Sequence, residues 1–319
     1  MIEILRNIEE TGDDLQYVSI NRQEVAKFAS TIREKDLQVS EISLSHYKWD
    51  KNQLVDLVFA FNSINFCFWA EKDQPKWAID LNGEKLDGST ALFRALEEEL
   101  KENPNFTNGD FLASLDTTKL ARILKGNIEI PLFKERLSNL SEIGQILETR
   151  YSGSFSNAVG ACMGNSVKLT SIVISEFPSF SDEEMYRGKS IPFYKRAQLN
   201  TKMISDTLVS YGEKPLDNLD HLTAFADYKI PQLLRSFKVL EYDSGLASRI
   251  DGLTIIEQGS VEEVEIRIAT ILAVEKIRQQ LLPRFSWVTA SHVDSMLWNK
   301  SQDKGVEVKP YHRTYTTAY

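Results

Sequence analysis

Cysteine is nearly missing from this chain: Cys67 and Cys162 are the only two in 319 residues. They are far apart and form no CxxC spacing, which excludes a zinc ribbon and a disulfide framework and leaves two reduced, buried thiols, as expected of a cytoplasmic protein. Histidine is also scarce. His46, His221, His292 and His312 show no HxH or HExxH spacing, so neither a metal nor another cofactor is expected. No apolar run reaches the roughly 18 residues that a membrane span needs. The opening Met1-Ile2-Glu3-Ile4-Leu5-Arg6 lacks the basic start and long apolar core of a secretory signal. Positive charge is in deficit: 37 Lys and Arg against 46 Asp and Glu give a net −9, and the cations are scattered. Polynucleotide binding calls for a basic face that displaces counterions, so stable nucleic-acid binding is not expected. A small anion, which needs only a few local cations, is compatible with this balance. Internal repeats, low-complexity blocks and long Gly/Ser linkers are absent as well.

What is present is an ordinary globular profile, with 42% hydrophobic and 26% charged residues. Helical periodicity dominates. Residues 1–45 read as helical and amphipathic, with Val25, Phe28, Ala29 and Ile32 on one packed face. Helices are predicted at Thr90–Lys101 capped by Ser89, at Asp110–Leu115, Thr117–Leu124, 132–150 starting near Pro131, Ser166–Ser175 and Glu262–Leu282. Asn82-Gly83 between alternating residues predicts a β-hairpin near 76–88, with little other sheet. The reading is a mainly α fold, one continuous domain over 1–319, carrying a small β-hairpin. Gly188-Lys189-Ser190 looks like the end of a P-loop, but Glu183 stands where that motif needs its first glycine, so the P-loop is excluded.

Several stretches carry chemistry. In Phe225-Ala226-Asp227-Tyr228-Lys229-Ile230-Pro231-Gln232, Pro231 suits a first helical position, which puts Asp227 just ahead of a helix N-terminus. A carboxylate there is either a cap or an ionised group poised beside a developing positive charge. Asn62 and Asn65 sit in the apolar run that leads to Phe66-Cys67-Phe68-Trp69. They satisfy backbone groups at a bend, or they form a pocket wall in which aromatics stack a base and amides read its edge. Tyr194-Lys195-Arg196 enters a helix, as an anion site or as a solvated helix start. Glu265 and Arg267 form a structural pair or a pocket pair. The tyrosine-rich segment around His312-Arg313 is expected to dock back on the body, because unanchored tails are seldom aromatic.

Taken in order, a set of blocks resembles the queuosine salvage protein family, the queuosine 5′-phosphate N-glycosylases. The blocks are Ile64–Trp69, Gly153-Ser154-Phe155 with Asn165-Ser166, Ser175–Phe180, Phe193–Gln198, Phe225–Gln232, Val264–Arg267 and His312-Arg313 with Tyr319. The resemblance implies a helical fold similar to the helix-hairpin-helix DNA glycosylases. The implied activity is hydrolysis of queuosine 5′-monophosphate, a small-molecule nucleotide, to queuine and ribose 5-phosphate. It casts Asp227 as the catalytic carboxylate that stabilises an oxocarbenium-like sugar or positions water. A 7-deazapurine lacks the ring nitrogen that usually takes a proton, so hydrogen-bond donors must carry the leaving-group charge; Asn65, Gln232 and His46 are candidates. Asp294 or Glu265 would meet the secondary ammonium and diol of queuine, and Phe66, Phe68, Trp69, Phe225 and Tyr228 would sandwich the base. Tyr194, Lys195, Lys229, His312 and Arg313 would hold the phosphate, with Lys229 also placed to tune Asp227 and Arg267 paired with Glu265. Two other readings stay open: a glycosylase acting on another modified nucleotide or a nucleic acid, and a nucleotide-binding protein without catalysis. Oligomeric state has no sequence signal.

Overall fold

The computed structural model describes residues 2–12, 14–38, 45, 47–303 and 305–319, and over these residues the chain is mainly helical. It opens with α1 (Ile2–Glu9), β1 (Val18–Ile20), α2 (Arg22–Thr31) and α3 (Glu34–Leu37). Next come α4 (Lys51–Ser63), the hairpin β2 (Ala78–Leu81) and β3 (Glu84–Asp87), α5 (Gly88–Glu102), α6 (Gly109–Ala113) and α7 (Thr117–Ile123). Then follow α8 (Phe133–Tyr151), α9 (Phe155–Ala161), α10 (Ser166–Glu176), a second hairpin of β4 (Glu183–Tyr186) and β5 (Lys189–Pro192), and α11 (Lys195–Ser210). The remainder holds α12 (Lys229–Ser236), β6 (Leu240–Tyr242), α13 (Ser244–Asp251), α14 (Val261–Leu281) and α15 (Ala290–Gln302). Among the described residues no helix is long and apolar enough to cross a membrane.

Two of these helices have no solvent face, and one hydrophobic core surrounds each. In α4 every residue from Leu54 to Ser63 is buried, because apolar side chains ring the axis instead of lining one stripe. Phe59 of α4 stacks on Phe155 with ring centres 3.6 Å apart and meets Phe177 edge-on. Such pairs add about 0.5–1.5 kcal/mol to simple burial. The only charge among these buried α4 residues is Asp56, which accepts hydrogen bonds from Ser154 Oγ (2.7 Å) and Ser156 N (2.9 Å) and so caps α9. Burial raises its pKa to about 6. In α14 the buried run extends from Glu263 to Glu275, and the core around it gathers α1, α2, α12, α13 and α15. Tyr194, at the start of α11, packs against both cores.

A buried ion pair joins the cores at that junction. Arg267 of α14 donates from both terminal nitrogens to Asp182 (2.8 and 2.6 Å) and lies under the Phe193 ring at 3.9 Å. The Asp182 carbonyl accepts the amides of Phe193 (2.9 Å) and Tyr194 (3.1 Å), turning Tyr194 into the left-handed region at φ 48°. Asp182 Oδ2 then accepts the amide of Lys195 (3.0 Å), the first residue of α11. One carboxylate therefore fixes where α11 begins and how it is aimed.

The structure also departs from the sequence expectations at several places. The hairpin forms as read, with Asn82 and Gly83 at φ 55° and 85°. Two further ladders accompany it, β1 with β6 and β4 with β5. Strand β1 lies inside the segment expected to be helical, because its partner is supplied by residues over 200 positions away, beyond any local signal. Gly188-Lys189-Ser190 belongs to the β4–β5 hairpin, with Arg187 and Gly188 at positive φ in the turn. Helix α5 starts at Gly88 rather than after Ser89, and a short helix, α9, begins at Phe155. Pro231 is third in α12 and not first, since the helix starts at Lys229 with Tyr228 at its cap. The tyrosine-rich tail does dock. Trp69 Nε1 donates to Thr314 O (3.0 Å), Cys67 N to Tyr319 O (2.9 Å) and Ile256 N to Arg313 O (2.8 Å), so it bridges both cores.

Replacing Arg267 by Leu strands the Asp182 charge in the interior. Breaking such a pair from one side costs about 3–5 kcal/mol, so the urea midpoint of Arg267→Leu should fall well below that of wild type; an unchanged midpoint would contradict the role given to this pair.

Candidate active site

A cavity of about 600 Å³ lies on the seam between the cores. Phe61, Asn65 and Phe68 come to it from the end of α4 and the stretch beyond, and Lys195, Leu199 and Met203 from one face of α11. The opposite wall is Phe225, Asp227, Tyr228 and Lys229, with Asp294 of α15 behind. Lys76 and the β3–α5 junction lie on a third side, and Tyr311 and Tyr319 of the docked tail close a fourth. A separate cavity of about 440 Å³ lies between the start of α4 and the 213–217 loop, where Lys51 pairs with Glu213, and no residue of the candidate set reaches it.

The Asn65–Phe68 wall is shaped by cations acting on backbone. At the end of α4 the last carbonyls have no helical partners. Arg196 donates to Asn62 O (3.1 Å) and Ser63 O (2.6 Å), and Asn139 donates to Ser63 O (2.9 Å). Arg136 takes over beyond the helix, donating to the carbonyls of Ile64, Phe66 and Cys67, while its guanidinium faces the Phe66 ring at 4.4 Å and the Phe68 ring at 5.0 Å. Burial lowers these guanidiniums to about 9 for Arg136 and about 10 for Arg196, which leaves both charged at neutral pH. Asn62 satisfies backbone inside α4 rather than at a bend, its amide donating to Val58 O (3.0 Å), while Asn65 lines the cavity.

The facing wall is held just as tightly. Gln198 accepts from Thr223 N (2.8 Å) and Asp294 Oδ1 accepts from Phe225 N (2.8 Å), so the segment leading to Asp227 is pinned at alternate residues. Asp227 Oδ1 then accepts the amides of Lys229 (2.7 Å) and Ile230 (2.9 Å) at the start of α12. Its Oδ2 receives no hydrogen bond from the described residues, and the side chain is 9% exposed in the cavity wall. Capping and availability are therefore compatible, since one oxygen serves the helix and the other is left over. Burial raises the Tyr228 hydroxyl well above the usual tyrosine value, with Tyr311 and Asp227 adding to the shift, so the phenol stays protonated. Burial and the charge of Lys76 lower the pKa of Lys229.

Of the residues singled out from sequence, Asn65, Phe68, Lys195, Phe225, Asp227, Tyr228, Lys229 and Asp294 meet at this cavity. The others contact protein instead. Phe66 lies between Arg136 and Arg196, and Trp69 holds the tail through Thr314 and Tyr315. Tyr194 donates its hydroxyl to Glu183, and Gln232 donates to Lys309 O (2.6 Å). Glu265 accepts from Gln16 N, Tyr17 N and the Tyr186 hydroxyl, so it and Arg267 have separate partners instead of pairing with each other. His312 Nε2 lies 3.2 Å from the Tyr319 hydroxyl, and Arg313 is held through its backbone carbonyl, which accepts Ile256 N (2.8 Å). His46 lies outside the described residues. Sequence reasoning missed Phe61, Met203, Lys76 and Tyr311. The first two read as core, and the last two sit in polar stretches with no periodicity. Among the described residues no cluster of His, Cys, Asp and Glu has metal-binding geometry.

With this geometry in view, comparison with known proteins is decisive. Residues 45–319 match the family model described as queuosine salvage protein. The chain belongs to the queuosine salvage protein family. A relative from Sphaerobacter thermophilus, named queuosine 5′-phosphate N-glycosylase/hydrolase, is 36% identical over 99% of this chain and 97% of its own. Relatives with the same name from Mus musculus (32% identical, 82% of this chain and 81% of theirs) and Bos taurus (31%, 83% and 81%) are similar too. The family match takes in every cavity-lining segment described above.

The docked tail carries a pH signature. Burial, with Arg267 nearby, lowers His312 to about 3, against 6.5 for the free side chain. The unfolded chain therefore binds the extra proton first, and this contribution to stability is complete above pH 6.5 and lost as pH falls from 6.5 towards 3. Between pH 7 and pH 5 the loss is about 2 kcal/mol, at about 1.4 kcal/mol per pKa unit. Urea titrations at both pH values should show a smaller pH 7-to-5 loss in His312→Asn than in wild type; equal losses would remove His312 from the account.

Proposed function

We propose that this protein hydrolyses the N-glycosidic bond of queuosine 5′-monophosphate, releasing queuine and ribose 5-phosphate for queuine salvage. The observation that carries the reading is Asp227: one oxygen is fixed by two helix amides, the other takes no hydrogen bond from the described residues, and both sit in the wall of a nucleotide-sized cavity. The names of the family relatives support the same substrate.

Cleavage of the bond gathers positive charge on the ribose and negative charge on the departing base. Asp227 answers the first. Its Oδ1 is held by the α12 amides, and Oδ2 stabilises the oxocarbenium-like sugar or orients the attacking water. The base lies among Phe68, Phe225 and Tyr228, where stacking contributes about 1–3 kcal/mol. Because the 7-deazapurine offers no nitrogen at the usual protonation position, donors such as the Asn65 amide carry the leaving-group charge. Asp294, the carboxylate behind Phe225, faces the secondary ammonium of queuine. Lys195 and Lys229 supply positive charge for the 5′-phosphate. The cavity draws walls from both cores, which supports treating 1–319 as one functional domain, and the two free buried thiols fit a cytoplasmic setting.

Purified protein incubated with queuosine 5′-monophosphate should release queuine, measured by chromatography. Asp227→Asn keeps an oxygen for the α12 amides but loses the charge, so kcat should drop by about 10²–10³, the scale of losing one electrostatic stabiliser, with little change in melting temperature. Near-wild-type turnover in that variant would reject Asp227 as the catalytic group. Tight binding without base release by the wild-type protein would instead favour a nucleotide-binding role.

A further inference from the structure

Residues 222–227 belong to no helix or strand, so side chains packed behind them decide where this segment lies. Asp294 holds it at Phe225. The other hold, Gln198, does more than accept one amide. Its Oε1 accepts Thr223 N at 2.8 Å, while its Nε2 donates to Phe193 O (2.8 Å) and to Thr223 Oγ1 (3.0 Å). The partners fix which end is oxygen and which is nitrogen, because a backbone amide only donates and a carbonyl only accepts. Gln198 is fully buried and is not part of the cavity wall, so it reaches a ligand only through what it holds.

The bond to Phe193 gives this hold its meaning. The Phe193 amide is fixed by the Asp182 carbonyl, in the turn that starts α11 at Lys195. With the Phe193 carbonyl tied to Gln198, the same point also anchors the segment that ends in Asp227. Gln198 lies in the first turn of α11, three residues after Lys195. One side-chain amide therefore spans from the wall that carries Lys195 to the wall that carries Asp227. A primary amide sets an acceptor and a two-hydrogen donor side by side, which matches these partners. Glutamate here would aim a second acceptor at the Phe193 carbonyl. Methionine would fill the space and leave Phe193 O and Thr223 N without partners.

We propose that Gln198 is a positioning residue: it sets where the Asp227 carboxylate stands relative to α11, and it acts on bond cleavage through that carboxylate. This rests on the reading of the protein as an N-glycosyl hydrolase. A reacting group displaced by about 1 Å can cost about 10²-fold in rate while the rest of the cavity still binds the substrate. The loss therefore falls on kcat and not on KM.

The test follows queuine release from queuosine 5′-monophosphate by wild type, Gln198→Met, Gln198→Glu and Asp227→Asn. Gln198→Met should lose about tenfold or more in kcat, with KM within about threefold of wild type. Added to Asp227→Asn, the same change should cost less than about twofold further, since the group it acts through has already lost its charge. Gln198→Glu should follow pH. Protonated, it donates to Phe193 O as Nε2 does; ionised, it cannot, so its kcat relative to wild type should fall as pH rises. This variant also carries the test if Gln198→Met fails to fold. An unchanged kcat in Gln198→Met, the full loss repeated in the Asp227→Asn background, or a flat Gln198→Glu ratio would overturn the proposal. A further measurement needs no turnover. In NMR of protein with isotope-labelled aspartate, the Asp227 carboxyl signal is the one missing from Asp227→Asn. It should move in Gln198→Met or Gln198→Glu, and an unmoved signal would also overturn the proposal. If wild type released no base while that signal moved, the hydrolase reading would fall and the positioning of Asp227 by Gln198 would stand.

Discussion

The buried pair between Arg267 and Asp182 is the constraint to which most of this structure answers. Asp182 uses its carbonyl to turn Phe193 and Tyr194 and its carboxylate to start α11 at Lys195. Arg267 projects from the helix at the centre of the other core. Where α11 begins decides which of its faces meets α4 and which meets the cavity, so one ion pair sets the position of Lys195, Leu199 and Met203 together. An interior pair of this kind is weak evidence for stability, because desolvation opposes the Coulomb attraction. Its value here is geometric. It couples the placement of one core to that of the other.

The cavity repeats this logic on a smaller scale. Its walls are backbone segments, and backbone in an interior must have its polar groups satisfied. Arg136, Arg196 and Asn139 satisfy the carbonyls after α4, and Gln198 and Asp294 satisfy the amides before Asp227. The side chains that face the ligand space are therefore carried on segments whose conformation is decided from behind. Rigid support of this type is what holds reactive groups in place without spending the ligand's own interactions on ordering them.

Much of this was legible in the residues, and the failures are instructive. Long helices such as α8, α10 and α14 follow from apolar spacing, and the Asn82-Gly83 turn from its demand for positive φ at both positions. Asp227 could be found because a carboxylate ahead of an apolar helix is a local pattern. Strands β1 and β4 were not legible, since their partners or turns give no local apolar alternation. The site residues divide for a similar reason. Glu265, Arg267 and His312 carry the residue types of a binding site, but the same types also serve to join packed elements, and only three-dimensional neighbours tell those uses apart. Lys76 was invisible for the opposite reason: it is an unremarkable polar-loop residue until the fold brings it, with Tyr311 of the docked tail, near Lys229.

The pairing of β1 with β6 has a consequence for how the chain comes to be folded at all. Val18 lies opposite Tyr242, and the helices on either side of β1 pack into a core whose other members follow residue 180. The core around α4, drawn from residues 54–216, has no such dependence and can condense while the later segments are still being made. Helices α1 and α2 and strand β1 cannot. They leave the ribosome with an apolar face and wait for a partner some two hundred residues behind them, a separation that makes loop closure slow. During that interval the segment is a target for chaperones and a hazard for aggregation. Because the cavity takes one wall from each core, its lining is assembled only after the later segments have folded against the earlier ones.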